Sequence, residues 1–526
     1  MSEPVMSGTV MSGMAAHIAA LPVIIPLLAG ASLVVLHRSS LAWKRTLSLL
    51  STLALGLVVL GLGFAVEHQG LVVYQVGNWP SFAGIVLLAD RLAVLMLGLL
   101  VVLALASQLF ASGGDEARGA HFHALFQFQL MGLCGAFLTH DLFNLFVFFE
   151  VLLAASYGLL LHGQGGERLR QGLHYVVLNL VASALFLFAV GVLYGVLGTL
   201  NMADLSARIA ALPEAQRPLV EAGGWLLLIV FALKAALLPL YFWLPRTYAS
   251  ASAPAAILFA IMTKLGVYAV IRVYGLLFGA DAGALAGFVQ PLLFWAGAGT
   301  ATLAALGALA SPTLRGLLGY LVVGSAGVLF MAIGLGTDVA LAGGLYYLVH
   351  STLAAAAFFL LGDWVRRHRE GGDALGRIAA MARPAWLGGF FALLAMAAAG
   401  LPPFGGFLGK SLLLAYAEPQ GHVVVLWAVV LGTSLLNLLA LARAGSRLFW
   451  QTPAVATARN AAPQAASLGL GERVAMLMLV FGLVAITLLA SDLTNYVAGS
   501  AAQLSEPSTY REAVLGRDPL PTTVPR

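Results

Sequence analysis

Five ionisable side chains stand inside long apolar runs of this 526-residue chain: Glu150, Lys234, Lys264, His350 and Lys410. A cation near the centre of a bilayer costs at least about 2.5 to 3.5 kcal/mol on insertion scales, so a residue kept there points to an ion pathway. The chain has four lysines, and every one except Lys44 lies in such a run, whereas the arginines crowd the short loops. An ammonium can give up its proton, and a guanidinium does not, so the lysines are where proton transfer can occur.

Lys234 lies in Phe231-Ala-Leu-Lys234-Ala-Ala-Leu-Leu-Pro239-Leu-Tyr-Phe-Trp-Leu-Pro245. Pro239 has no amide hydrogen and its ring clashes with the carbonyl four residues back, so the Ala235 carbonyl loses its helical partner beside Lys234. Broken backbone at membrane depth requires protein or a water-filled cavity to receive it. Lys410 closes a second interrupted segment, Gly400-Leu-Pro402-Pro403-Phe-Gly-Gly-Phe-Leu-Gly-Lys410-Ser. Its Gly-Lys-Ser is not a nucleotide-binding loop, because the required earlier glycine falls on Phe404 and the setting is a membrane helix. Paired broken segments in two halves of a chain point to repeats with ion sites at their interface.

Lys264, Tyr268 and Arg272 share one helical face at spacings of four. Lys264 is too deep to reach the interface, while Arg272, near the helix end, is expected to snorkel there. Glu150 sits mid-helix in the run beginning His140-Asp141 and needs a partner, the alternative being a protonated structural carboxylate. Asp141, at the start of that helix, reads as a cap or a partner of the helix dipole. His350 on its own is commonly a structural hydrogen bonder, yet an imidazole titrating at about 6.5 when unperturbed suits a relay.

The elements that must position these groups are membrane helices. The sequence is 61% hydrophobic and 9% charged, with a mean hydropathy of +0.95, which defines an all-α polytopic membrane protein. The net charge of +5 comes from basic residues scattered through loops, so these read as orientation signals and not as a nucleic-acid patch. The single Cys134 excludes an intrachain disulfide and a zinc cluster and reads as a small core residue; neither a metal nor a cofactor site is expected. No Lys or Arg precedes Arg38, so the first apolar segment reads as a membrane helix and not as a cleaved signal.

At about 20 apolar residues per span, fourteen helices are expected. They fall at about 15–36, 43–66, 85–111, 120–138, 141–162, 170–197 and 220–246, then at about 253–278, 285–310, 316–336, 340–366, 384–417, 422–449 and 472–498. Residues 67–84 read as a small outer-face hairpin, 452–471 as a loop, and the tail from about Ser505 as a polar segment without chemistry. Loops after odd-numbered helices carry seventeen Lys and Arg, and the opposite face with the tail carries six. By the positive-inside rule the first set is cytoplasmic and both termini face outward from the cell membrane.

The Glu150 helix, Leu-Lys-Ala-Ala-Leu-Leu-Pro-Leu-Tyr-Phe-Trp-Leu-Pro, Thr-Lys-Leu-Gly-Val-Tyr and Leu-Pro-Pro-Phe-Gly-Gly-Phe-Leu-Gly-Lys together resemble the antiporter-like family shared by complex I subunits M and N and multisubunit Mrp (Pha, Mnh) cation/proton antiporters. The match covers about residues 80–450, and the stretches from Val73 to Pro80 and from His140 to Glu150 are most similar to the D-type subunit of the Mrp antiporters. The resemblance implies two inverted five-helix repeats, helices 4–8 and 9–13, with helices 7 and 12 broken. That divides the chain into 1–119, a first repeat at 120–278, a second at 285–449, and 450–526. It carries Glu150, Lys234, Lys264, His350 and Lys410 onto the family's charged axis, with Asp141, Pro239, Tyr268, Pro402 and Pro403 in support. It further implies other membrane subunits as partners, and protons with Na⁺ or K⁺ as cargo. Three departures bear on the path between the halves: Gly324-Ser325-Ala326-Gly327 where many relatives have a histidine, no loop histidine near Tyr248, and no lysine within Ala354–Ala357. The rival implied by the same resemblance is a pumping subunit of a redox complex, in which this chain, lacking flavin, iron-sulfur and haem motifs, would not be the redox site. A non-conducting scaffold is disfavoured by the buried ionisable residues.

Overall fold

The computed structural model describes residues 14–81, 84–376, 379, 381, 384–415, 422–451 and 468–516. Helices α1 (Leu21–Val35) and α2 (Leu41–Gln69) lead into an antiparallel hairpin of β1 (Val72–Gln75) and β2 (Val86–Ala89), registered Val72 to Ala89. Next come α3 (Arg91–Ala111), α4 (Phe122–Leu138), α5 (Leu142–Leu161), α6 (Gly166–Leu197), α7 (Met202–Ala210), α8 (Arg217–Lys234), α9 (Leu244–Ser250) and α10 (Ala253–Leu277). The later part holds α11 (Gln290–Ala310), α12 (Leu314–Gly334), α13 (Asp338–His368), α14 (Pro384–Ala399), α15 (Gly405–Ala415), α16 (Val423–Gly445), α17 (Leu470–Leu488), α18 (Ala490–Leu504) and α19 (Pro507–Leu515).

Local sequence sets many of these boundaries. Asp90, Asp141, Asn201, Thr313 and Thr337 each accept a hydrogen bond from an amide of the first turn they cap, satisfying donors a helix start leaves free. Among the described residues, eleven helices are long and apolar enough to cross a membrane, and α1, α4, α14 and α15 are shorter apolar helices. The two most enclosed spans, α10 and α13, form the centre, while α2, α6, α16 and α17 turn apolar side chains such as Leu57, Phe64, Val424 and Phe481 outward. Such helices, apolar on every side, suit lipid or a neighbouring subunit. Small residues bring α11 against α12: a Cβ on Gly327 would stand 2.5 Å from the Ala301 amide nitrogen, and one on Gly297 2.7 Å from the Gly327 carbonyl.

Two spans are interrupted, as the proline-containing runs predict. After Lys234 the chain turns through Ala236 at φ +57°, the Leu237 amide donates to Ala232 O at 2.8 Å, and Leu238–Pro239 is a cis peptide. Protein receives the broken backbone: the Leu238 amide donates to Thr300 Oγ1 on α11 at 2.8 Å, and Trp243 Nε1 donates to Leu233 O at 3.1 Å. The second break, between α14 and α15, turns through Gly400 at φ +82°, the Leu401 amide donates to Met396 O at 3.0 Å, and Pro402–Pro403 is cis.

Several expectations are corrected. The hairpin reaches Ala89, and the third span starts at Arg91 and not near 85, because the β-paired Val86–Ala89 belongs to the sheet. The last span is two helices, α17 and α18, meeting at Leu489. Arg272 does not snorkel; it is buried at 2% exposure because Asp90 supplies a counter-charge. The polar tail is not idle, since α19 buries Tyr510 and Val514. The loop expected at 452–471 lies outside the described residues up to 467.

Candidate functional site

The first break presents Lys234 from the last turn of α8 into the space between α5 and α6. Its Nζ donates to Asn179 Oδ1 at 3.5 Å and lies 5.3 Å from the centre of the Phe149 ring. Glu150, the next residue on α5, accepts from Ser183 Oγ, one turn beyond Asn179 on α6. Glu150 and Lys234 therefore face the same strip of α6 without a direct salt bridge, each held by a different α6 side chain. Asp141 caps α5, its Oδ1 accepting from the Asn144 amide at 2.7 Å, which fixes the start of the helix that carries Glu150.

The break also packs on the next lysine helix. A Cβ on Gly266 of α10 would lie 2.7 Å from the Ala235 amide nitrogen, so only glycine there lets α10 approach the residue after Lys234. Two residues earlier on α10, Lys264 is 1% exposed and donates to Ser325 Oγ of α12. That serine falls in the Gly-Ser-Ala-Gly stretch noted as a departure, so the position supplies a hydroxyl acceptor to the lysine. Ser325 Oγ in turn donates to Val322 O at 2.6 Å.

His350 on α13 meets Ala397 O at 3.0 Å through Nε2, and its buried Nδ1 has no hydrogen-bond partner. Gly405 and Gly406, at the start of α15, make room for the ring: a Cβ on Gly406 would be 2.5 Å from His350 Nε2. Lys410, one turn further along α15, donates to Ser434 Oγ on α16 at 2.9 Å and to Ala399 O at 3.3 Å, and lies 5.6 Å from the Tyr347 ring centre. It lines a cavity of about 540 Å³ between α14, α15 and α16, walled by Phe407, Trp427 and Leu431. Among the described residues no hydrogen bond joins Lys264 to His350, or His350 to Lys410. Pro239, Pro402 and Pro403 belong to the breaks that place the two outer lysines.

Tyr268 belongs to a separate cluster. Arg272 makes a two-pronged pair with Asp90, at 2.6 and 2.7 Å, and reaches Tyr268 Oη at 3.0 Å; Tyr510 of α19 donates to Asp90 Oδ2 at 2.7 Å. Tyr268 Oη donates to Phe137 O at 2.6 Å. Asp90 is missing from the sequence-based set because it fell inside the span expected at 85–111, and its partners lie far along the chain. Asn179 and Ser183 on α6 were missed, and Ser325 on α12 was read only as a departure, for a different reason: a small polar residue in an apolar run carries little signal until a charge is placed opposite it.

The other end of the bundle carries the arginines. Glu116, in the 3-10 turn Asp115–Arg118, is buried between Arg45 and His123, with His123 Nε2 at 3.0 Å. Burial would push its carboxyl up, but the hydrogen bonds from His123 and Arg45 outweigh this and hold it below the usual carboxylate range. Arg367 bridges Asp363 at 2.8 Å and Glu472 at 2.6 Å, tying α13 to α17.

Interrupted membrane helices with enclosed lysines, one of them near a carboxylate, are the kind of arrangement from which ion pathways through membrane proteins are built. The model of the family described as "NADH:quinone oxidoreductase/Mrp antiporter, TM" matches residues 139–436, and the chain belongs to that family. A probable K⁺/H⁺ antiporter D-type subunit of Rhizobium meliloti (strain 1021) is 41% identical over 533 residues, covering 95% of this chain and 97% of that one. A Na⁺/H⁺ antiporter D-type subunit of Alkalihalophilus pseudofirmus is 34% identical over 503 residues, covering 94% and 98%. Among solved structures, a chain of the Mrp complex from Dietzia sp. DQ12-45-1b superposes with a TM-score of 0.86 at 27% identity, covering 96% of this chain and all of that one.

Proposed function

We propose that this chain is a proton-translocating subunit of a multisubunit Na⁺ or K⁺/H⁺ antiporter in the cell membrane, working with other membrane subunits in pH and cation homeostasis. One observation carries the reading: Lys234 is buried at a helix break, with Glu150 on the same strip of α6 and a hydrogen bond to Asn179 as its direct polar contact. When Glu150 closes on Lys234 the ammonium is held charged; when it turns to Ser183, Lys234 is left without a direct carboxylate contact and its proton can move on. Lys264, His350 and Lys410 are the successive sites, and water bridges the gaps between them. A membrane potential does work of about 2.3 kcal/mol per charge per 100 mV, enough to drive such transfers.

Counting α1, α4 and the α14–α15 pair with the eleven long helices gives the fourteen spans of this reading. Helices 4–8 and 9–13 are then the two inverted repeats, and the arginine-rich end is cytoplasmic with both termini outside. Relatives that match over nearly the whole chain are named antiporter subunits, which favours antiport over the rival role in a redox-driven complex. The test uses everted vesicles bearing the complete complex, with a pH gradient imposed and no electron donor. Collapse of the gradient on adding Na⁺ or K⁺ is expected, with no exchange by this chain expressed alone. A gradient that responds only to an electron donor would assign the chain to the redox class.

A further inference from the structure

At the arginine-rich end, a cavity of about 810 Å³ is lined by Arg118, Arg168, Arg170, Arg246, Arg315 and Arg366, against the two acids Glu167 and Asp373. Arg118, Arg315 and Arg366 are neutralised by Asp115, Asp373 and Asp363 at 3.1, 3.1 and 2.8 Å. Arg168 is held by two backbone carbonyls, Ser250 O at 3.0 Å and His162 O at 2.5 Å, which fix its position without a carboxylate in direct contact. Arg170 and Arg246 make no ion pair among the described residues, and both are exposed. Three guanidinium charges thus face one cavity with Glu167 as the remaining acid, and Glu167 already accepts from Gln171 Nε2 at 2.9 Å.

The same cavity is floored by the turn Gly163-Gln164-Gly165, at φ +83°, +55° and +121°, which leads into α6 without a side-chain cap. The first turn of α6 thus leaves amides without a side-chain cap at the cavity, with Arg168 and Arg118 packed against the turn, an arrangement that favours a phosphate oxyanion. From this cavity an outward apolar stripe runs along α6 through Leu169, Leu173, Val177 and Leu180, with half-exposed Phe242 in the cavity wall beside it. A free anion would use the arginines alone; a phosphate head joined to acyl chains uses both surfaces. We propose that this cavity binds the headgroup of an anionic phospholipid, bridging the α5–α6 turn and α9 to the start of α12 and the end of α13. This site is independent of the Lys234 path.

The complete complex, purified in neutral detergent, is titrated with phosphatidylglycerol, phosphatidylcholine or inorganic phosphate, and followed by thermal melting and by native mass spectrometry of retained lipid. Phosphatidylglycerol is expected to raise the melting temperature. The Arg170→Gln/Arg246→Gln double variant should melt as wild type without lipid but need about thirtyfold more phosphatidylglycerol for the same shift. The Arg170→Lys/Arg246→Lys pair, which keeps both charges, should retain most of the shift, so a folding defect in the first variant does not hide the answer. Unchanged lipid dependence in the Gln pair would overturn the proposal, as would an equal shift from inorganic phosphate or from phosphatidylcholine. A photo-reactive residue at position 170 should capture lipid; capture of a neighbouring subunit's peptide would assign this surface to protein instead.

Discussion

At the first break the lysine stands before the kink, and at the second it stands after it. The backbones are otherwise in step: Ala236 and Gly400 take positive φ, Leu237 and Leu401 reach back five residues, and cis prolines follow at 239 and 403. The surroundings of the two lysines differ more than the breaks do. Lys234 shares a strip of α6 with Glu150 and lies beside Phe149, while Lys410 is met by a hydroxyl, a carbonyl and the Tyr347 ring, with no carboxylate among the described residues at its side. Lys410 also borders a cavity with exposed apolar walls, whereas at the Lys234 break Thr300 and Trp243 hydrogen-bond the freed backbone. The same backbone device thus builds one lysine site near a carboxylate and one beside an apolar cavity, a difference that would give the proposed path a direction.

Removing the counter-charge should have the largest effect. Glu150→Gln keeps shape and hydrogen-bonding capacity while deleting the charge, and antiport by the assembled complex is expected to fall by about 10²-fold or more. Glu150→Asp, a methylene short, should remain partly active. Near wild-type exchange by Glu150→Gln would erase the distinction between the two breaks.

Next comes the second break. A methyl on Gly406 would meet His350 Nε2 at 2.5 Å and Ala397 O at 2.8 Å, so Gly406→Ala should displace the ring or the break, costing about 1 to 3 kcal/mol of stability and slowing exchange. Thermal melting of the complex, read beside initial exchange rates, checks both. An unchanged rate would remove His350 from the path.

The smallest effect is expected at Ser434. Because Lys410 retains Ala399 O and the Tyr347 ring, Ser434→Ala should slow exchange only about fivefold. A loss as deep as that of Glu150→Gln would mean that Ser434 does for Lys410 what Glu150 does for Lys234.

The membrane class, the breaks and the buried charges were legible because each violates a strong local rule: a lysine or a proline in an apolar run is costly enough that it stands out against its neighbours. Asp141 as a cap was legible for a related reason, being a local interaction. What escaped was long-range. Arg272 looked free to snorkel because its partner Asp90 lies far back along the chain, and Tyr510 looked like tail. Breaking that buried pair by Asp90→Asn should cost about 3 to 5 kcal/mol, a cost invisible from either residue's own neighbourhood. Ser183 and Asn179 escaped too, and with them the hydrogen bonds by which α6 meets Glu150 and Lys234 separately.

In the proposed cycle Lys234 passes a proton and does not merely pair with Glu150. Lys234→Arg separates the two, because guanidinium keeps the cation yet does not deprotonate in proteins. The measurement is Na⁺- and K⁺-driven proton exchange in everted vesicles with the complete complex, normalised to assembled protein on native gels. Normal assembly with nearly abolished exchange is predicted. Exchange at close to the wild-type rate would contradict proton transfer through Lys234 and leave the pair with an architectural role.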